Sequence, residues 1–151
     1  MQDFRHDPAG LGRGYPIIGN NSAQFSYADA VYIDLDGFLA LSSTTNKIHG
    51  YYVGAGETMA SDNETVAKKC PDYVYAQDVE MIYGSDQACT QTDIGTYADF
   101  GTATTGAFEL NLAGGATGQF LILGFDPEGE GDTDVVVVVA AEIQKAAFAQ
   151  S

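Results

Sequence analysis

The sequence is poor in basic residues, because only six Lys and Arg stand against 21 Asp and Glu, for a formal net charge of −15 at pH 7. Proteins that bind nucleic acids neutralise phosphates with Lys and Arg, so this shortage argues against DNA or RNA as a partner. The same charge is unfavourable for contact with anionic membranes. We therefore expect neither a nucleic acid nor a membrane as partner.

Long apolar runs are missing as well. No stretch approaches the roughly 20 apolar residues that a membrane-spanning helix requires. The segment from Met1 to Pro8 lacks the basic and then apolar layout of a secretion signal. We therefore expect the chain to be made in a cytoplasm.

Histidine and cysteine are scarce, with two of each. His6 lies in an irregular segment and His49 in a predicted strand, and a packing or surface role is favoured for His49 over that of a catalytic base. Cys70 and Cys89 are far apart with no His nearby, which argues against a zinc site. Thiols are expected in a cytoplasm, and a disulfide between the two cysteines is the alternative.

The acidic stretch from Asp126 to Asp134 is the one segment that could hold a cation. Its carboxylates stand at alternate positions, without the spacing of an EF-hand loop. A solvated hairpin loop is the favoured interpretation. The sequence thus predicts no catalytic residue, no cofactor and no metal site.

What the sequence has in quantity is glycine, tyrosine and phenylalanine, with 18, 9 and 8 residues. Apolar and polar residues alternate over 31–35 and 108–112, the period of a half-buried strand. Short strand signals separated by turn signals recur along the 151 residues, which predicts one all-β domain, a compact barrel or sandwich. Asp36-Gly37 between two apolar runs predicts a two-residue hairpin turn with positive φ at Gly37.

Residues 1–21 differ from residues 22–151, which carry the entire net charge. Their frequent Pro and Gly predict an extended N-terminal arm in place of a helix or central strand. Apolar side chains and both arginines of the chain suggest that the arm lies along a partner, and a frayed terminus is the alternative. The candidate partner-binding residues are Phe4, Arg5, Leu11, Arg13, Tyr15, Ile17 and Ile18. Deleting residues 1–18 is expected to leave the rest folded.

The run of five valines from Val135 to Val139 has no polar face, which predicts a strand buried on both sides. One explanation is cover by a neighbouring copy of the chain, with Val135, Val137 and Val139 as candidate oligomer interface. The alternative is cover by the C-terminal tail or the N-terminal arm of the same chain.

In their order along the chain, several segments resemble a group of capsid decoration proteins of tailed bacteriophages. These segments are 29–34 with Asp36-Gly37, 48–54, 92–99, 106–110, 120–127 and 135–139. The resemblance implies a compact β-barrel-like protein that coats the outer surface of a virion and bridges subunits of the major capsid protein. A homo-oligomer is expected with it, a trimer by preference and a dimer as the alternative.

Two other classes of function stay open. One is an acidic β-rich binding or adhesion module. The other is an enzyme whose site is invisible in sequence, for instance a carboxylate pair, since such pairs are recognised only by their spacing in space.

Overall fold

A computed structural model of the chain describes residues 2–8, 15–16, 24–35, 37–44, 48–54, 56–58, 72–75, 78–115, 117–125 and 133–140. Within these ranges the chain forms short strands and a 3₁₀ helix at Gln91–Asp93. The strands are β1 (Asp3–Phe4), β2 (Tyr15–Pro16), β3 (Gln24–Phe25), β4 (Ala30–Ile33), β5 (Leu39–Leu41), β6 (Gly50–Tyr52), β7 (Glu57–Thr58), β8 (Asp72–Tyr75), β9 (Met81–Ser85), β10 (Tyr97–Thr102), β11 (Glu109–Gly115), β12 (Phe120–Phe125) and β13 (Asp134–Val139). The prediction of an all-β fold is confirmed.

Five of the strands close into a barrel. Their order is β9-β11-β10-β12-β13, and β13 pairs back with β9. The β9–β11 pairing is parallel, and the other four pairings are antiparallel. Closure leaves no open sheet edge among these five strands, which removes the unpaired backbone groups that make edges prone to association.

A second sheet has the order β2-β8-β6-β4-β5, and β3 and β7 form a separate pair. One face of this sheet contributes Ala30, Tyr51 and Val74 to the same hydrophobic cluster as the barrel interior. Its other face holds a smaller cluster formed by Phe25, Val31, Leu39, Tyr52 and Tyr73. The second sheet is therefore apolar on both faces, and one of them packs on the barrel.

Aromatic rings fill the centre of the larger cluster. Tyr83 on β9 lies 5.1 Å from Phe100 and 5.8 Å from Phe120 between ring centroids. Phe100 also contacts Phe108 edge-on, at 4.6 Å. Tilted and edge-on pairs of this kind add about 0.5–1.5 kcal/mol each beyond the area they bury. The barrel interior is thus a packed core built from the chain's own side chains.

Gly50 shows why one position in the second sheet has no side chain. A Cβ there would lie 2.2 Å from the carbonyl oxygen of Val74 and 2.8 Å from the ring of Tyr73. The neighbouring strand β8 can approach β6 this closely because glycine leaves the space empty.

The β4–β5 hairpin has a three-residue loop, so the prediction of a two-residue turn was wrong. Asp34 pairs with Phe38, and the N–H of Gly37 donates to the carbonyl of Asp34 at 3.0 Å. Gly37 has φ +89°, so the predicted positive φ is confirmed. A turn closed by a left-handed glycine is the usual three-residue hairpin connection. The carboxylate of Asp34 strengthens it by accepting the N–H of Phe38 at 2.9 Å.

The valine run forms β13, and its members alternate between two faces. Val135, Val137 and Val139 point into the barrel and belong to its core. Their assignment to an oligomer interface was therefore wrong, because side chains that fill the chain's own barrel are not available to a second copy. The outward-facing members are Val136, which is buried, and Val138, which is half-buried.

The N-terminal residues that the structure describes belong to the folded body. Strand β1 pairs antiparallel with β9, with Asp3 opposite Ile82 and Phe4 opposite Met81. Strand β1 pairs with the first half of β9, whereas β11 pairs with the second half. For residues 2–8, the interpretation as a separate arm is wrong, because backbone pairing and core burial hold them on the barrel.

We expect Gly37→Val to destabilise the protein by about 1–3 kcal/mol, because a β-branched residue is strained at positive φ. A Cβ at Gly37 would meet nothing within 4 Å, so the loss would come from the backbone alone. Gly37→Asn is the matched control, since asparagine tolerates the left-handed region. Urea unfolding measures both variants, and equal midpoints for valine and asparagine would contradict the prediction.

We expect Phe4→Ala to cost about 3–5 kcal/mol in the free energy of unfolding, as for other large core side chains. Only 5% of Phe4 is exposed. His6→Ala, two positions further on and exposed, is the control and should change stability by no more than about 0.5 kcal/mol. A Phe4→Ala variant as stable as the control would show that β1 does not hold to the barrel in solution.

Candidate partner-binding surface

The residues predicted to bind a partner fall into four groups in the structure. Phe4 lies in the core, 5.9 Å from the ring of Tyr51 and 5.4 Å from that of Tyr27, so its assignment to a partner contact was wrong. Arg5 is exposed, and its backbone N–H donates to the backbone carbonyl of Glu80 at 2.9 Å. The backbone of Tyr15 pairs with Tyr73. Leu11, Arg13, Ile17 and Ile18 lie outside the described residues.

A buried carboxylate that the sequence analysis did not single out ties the N-terminal strand to the rest of the fold. Asp29 accepts hydrogen bonds from Gln2 Nε2 at 2.6 Å, from the Ser26 N–H at 2.8 Å and from the Gly106 N–H at 2.8 Å. The other end of the Gln2 amide accepts the N–H of Phe108 at 3.0 Å. We name Asp29, Gln2, Ser26 and Gly106 the Asp29 cluster. It joins β1, the start of the second sheet and the segment before β11.

The residue before Asp29 adds a second link to the barrel. Ala28 has φ +71°, an uncommon conformation for a residue with a side chain. Its carbonyl accepts the hydroxyl of Tyr83 at 2.7 Å, which anchors the strained segment to the centre of the barrel. Strain of this kind persists where the surrounding contacts over-determine the backbone, as the bonds of Asp29 and Tyr83 do here.

Burial determines the ionisation of this region. Burial raises the pKa of Asp29 above its usual range, although hydrogen bonds from Gln2, Ser26 and Gly106 oppose the shift. Burial likewise raises the pKa of the Tyr51 and Tyr83 hydroxyls. All donors to Asp29 are neutral, so the cluster lacks the compensating cation that would favour a charged carboxylate.

His49 is buried beside two tyrosine rings. Its ring lies 5.5 Å from that of Tyr73 and 5.9 Å from that of Tyr75, which places it in the apolar packing of the second sheet. Burial lowers its pKa, so the neutral form is favoured. The other histidine, His6, lies on the surface 3.6 Å from a carboxylate oxygen of Glu80, a contact of the kind that stabilises little in water.

The structure tests the remaining predicted sites only in part. Cys89 is buried, and its Sγ lies 3.9 Å from the carbonyl oxygen of Thr90, whereas Cys70 is outside the described residues. Of the acidic stretch from Asp126 to Asp134, Asp134 is described and begins β13. Among the residues that the structure places, no group of three His, Cys, Asp or Glu side chains could hold a metal ion.

The outer face of the barrel carries an apolar surface. Tyr97 on β10 stands opposite Leu121 on β12, which in turn stands opposite Val138 on β13. All three are half-buried, and the neighbours of each along its strand point into the core. Side chains directly opposite on adjacent strands are in contact range. With Leu123, these residues form what we call the outer strip.

Leu123 is the most exposed member of the outer strip, with 41% of its surface exposed. The β12–β13 register passes from Ile122 opposite Val137 to Gly124 opposite Val136. Leu123 is therefore the extra residue of a β-bulge, a feature that redirects a side chain and increases local twist. Sequence alone gives 120–125 as one apolar run and cannot show which of its members face outward or where the bulge lies.

An acidic side chain borders the outer strip. Asp99, two positions after Tyr97 on β10, is exposed and alternates with core residues, which places it on the outer face of the barrel. Glu109 on β11 is also exposed, but it stands opposite Thr102, five positions along β10 from Tyr97. The Asp99 carboxylate also accepts the N–H of Gln119 at 2.8 Å, which fixes its position. Of the six Lys and Arg of the chain, Arg5 is the only one in the described part.

A second exposed leucine lies far from the strip in the sequence. Leu35 is in the loop of the β4–β5 hairpin, with 73% of its surface exposed. A single exposed leucine is common on protein surfaces, and Leu35 lacks the cross-strand apolar neighbours that Leu121 has.

Comparison of the chain with protein-family models, with characterised proteins and with solved structures finds no match. The resemblance to phage decoration proteins therefore stays a prediction. Among the described residues, no helix is both long and apolar enough to cross a membrane.

The raised pKa of Asp29 predicts a specific pH dependence. Because the folded state holds the Asp29 proton more tightly than the unfolded chain, the stability that this group contributes is present below its unfolded pKa. It is lost as the pH rises through the folded pKa. The free energy of unfolding of the wild type, minus that of Asp29→Asn, should therefore decrease from about pH 3 to about pH 7. Urea unfolding at several pH values measures it, and a difference that grows with pH would contradict the prediction.

Proposed function

We propose that this chain is a structural protein of a virus particle. In this proposal it binds the outer surface of a bacteriophage capsid and stabilises the shell by bridging neighbouring subunits of the major capsid protein. Assembly into a homo-oligomer on the shell, with a trimer favoured over a dimer, is part of the same proposal.

The observation that carries the proposal is a closed barrel filled by the chain's own aromatic side chains. Tyr83, Phe100, Phe108 and Phe120 lie within one connected set of ring contacts. Barrels that bind small molecules use a cavity in the interior or at the mouth, whereas a packed barrel offers its outer surface. A rigid body that acts through its outer surface suits a protein that coats and bridges others.

Charge supports a place outside the shell. The net charge of −15 opposes contact with packaged nucleic acid. It also keeps molecules displayed at high local concentration from associating with one another non-specifically. An outer position meets both conditions.

The segments that resemble decoration proteins coincide with structural elements that build this body. Residues 29–34, 48–54 and 106–110 overlap β4, β6 and β11, while 120–127 and 135–139 overlap β12 and β13. The resemblance thus follows the barrel and the second sheet, which is what a shared fold would produce.

Electron cryomicroscopy of virus particles from the native source of the chain tests the proposal. We expect density that fits the closed barrel on the outer surface of the shell, in contact with more than one capsid subunit. Particles from a virus with the gene deleted are the control and should lack this density. They should also lose their DNA at a lower temperature than intact particles.

Two results would overturn the proposal. One is density for this chain inside the shell, and the other is its absence from purified particles. In the second case, an acidic binding or adhesion module that acts elsewhere would become the better explanation.

A further inference from the structure

We propose that the outer strip is the docking surface of this module, and that it takes a protein surface with an apolar centre and Lys or Arg beside it. This inference rests on the proposed function and names the chemistry of the capsid surface that would receive the barrel. It assigns the contact to the barrel wall formed by β10, β12 and β13.

The geometry of the strip is the first support. Tyr97, Leu121 and Val138 are consecutive cross-strand neighbours on three strands, so they form one continuous apolar surface. Leu123 lies on the same outer face of β12 as Leu121, two positions further along the strand. Because the barrel is closed and its core packed, this surface is rigid, and little conformational entropy is lost when a partner binds.

The charges around the strip decide which partner fits. Asp99 stands on the outer face of β10, two positions from Tyr97, and the whole chain carries a net charge of −15. A partner with Lys or Arg at the matching positions gains electrostatic complementarity and a faster association rate. Charged rims around apolar centres are the usual arrangement of protein interfaces.

A second copy of the chain fits the strip less well. Two copies that meet face to face through the strip would bring the Asp99 carboxylates of both copies to the same interface. Each copy also carries a net charge of −15, and like charges across an interface are unfavourable. The homo-oligomer of the proposed function would therefore use another face.

Leu123→Asp tests the strip directly. The Leu123 side chain is exposed, so the variant should fold. A carboxylate placed against the apolar centre of the partner should weaken binding at least about tenfold. Leu35→Asp is the matched control, because it makes the same chemical change at a more exposed leucine on the second sheet. The readout is co-sedimentation of each protein with capsid shells purified from the gene-deleted virus.

A third variant tests the acidic border. Asp99→Asn removes the charge, while the amide oxygen can still accept the N–H of Gln119 as the carboxylate does. Binding of the wild type to the shells should weaken as salt rises, and this dependence should be smaller for Asp99→Asn. A wild type whose binding is insensitive to salt would overturn the assignment of a basic partner surface.

The outcomes separate this inference from the proposed function. If the wild type does not sediment with shells, the proposed function fails. If the wild type, Leu123→Asp and Leu35→Asp bind equally, the proposed function stands and the strip is not its docking surface.

Two measurements on the free protein exclude the other occupants of the strip. In analytical ultracentrifugation, a smaller assembly for Leu123→Asp than for the wild type would show that a second copy covers the strip. A thermal midpoint of Leu123→Asp well below that of Leu35→Asp would show that another part of the same chain covers the strip. Either result would overturn the proposal, and we expect Leu123→Asp to match the wild type in both measurements.

Discussion

The buried carboxylate of Asp29 is the point at which the separate parts of this fold are connected. Its oxygens accept donors from Gln2, Ser26 and Gly106, which belong to three segments distant in the chain. A carboxylate suits this position because two oxygens can accept several N–H groups at once. An apolar residue there would remove all three hydrogen bonds, at a cost of about 0.5–1.5 kcal/mol each. Asp29 thus adds polar links between the N-terminal strand, the second sheet and the barrel to the backbone pairing and core packing that hold them together.

The aromatic core is the second constraint, and it follows from the first. Phe4 enters the core because β1 is held on β9, and its ring contacts Tyr51 of the second sheet. Tyr51 in turn lies 6.4 Å from Tyr83 in the barrel. The hydroxyl of Tyr83 bonds to Ala28, next to Asp29. Polar and aromatic contacts thus run from the Asp29 cluster to Phe4, through Tyr51 and Tyr83, and back to Ala28 beside Asp29. These contacts explain how β1, a strand of two residues, can be part of the folded domain.

This construction leaves the outer wall of the barrel as the surface that can vary without loss of the fold. Residues that face inward on β12 and β13 fill the core, whereas Leu121 and Leu123 face outward and are less constrained by it. The docking surface that we propose would account for their apolar character on that wall. The same separation explains why an acidic exterior is compatible with a stable interior.

Local sequence patterns predicted several parts of the fold correctly. The alternation around Val31 and Leu110 gave strands β4 and β11, and the dipeptide Asp36-Gly37 gave a hairpin with a left-handed glycine. Such features depend on interactions between residues close in sequence, which is why period and turn chemistry reveal them. The length of the hairpin loop was missed because it depends on which residues pair across the strands.

The role of the N-terminal residues could not be predicted in the same way. Pro and Gly correctly argue against a helix there, but they do not exclude a two-residue strand. Whether Phe4 contacts a partner or its own core depends on whether β9 has a free edge beside Met81, and no local pattern reports that. The valine run posed the same difficulty, since five equal residues give no sign of which ones face inward.

By itself, then, the amino-acid sequence determined an acidic, all-β protein, because composition, charge and residue alternation act locally and need no knowledge of the fold. Only the tertiary structure decided that β13 closes on β9 and that Asp29 collects donors from three segments. It also decided that Leu121 and Leu123 lie on the outer face of the barrel. Each of these depends on contacts between residues far apart in the chain, and a strand shifted by one residue would exchange its inner and outer faces. The candidate surface is therefore a property of strand register, which arises only when the barrel closes.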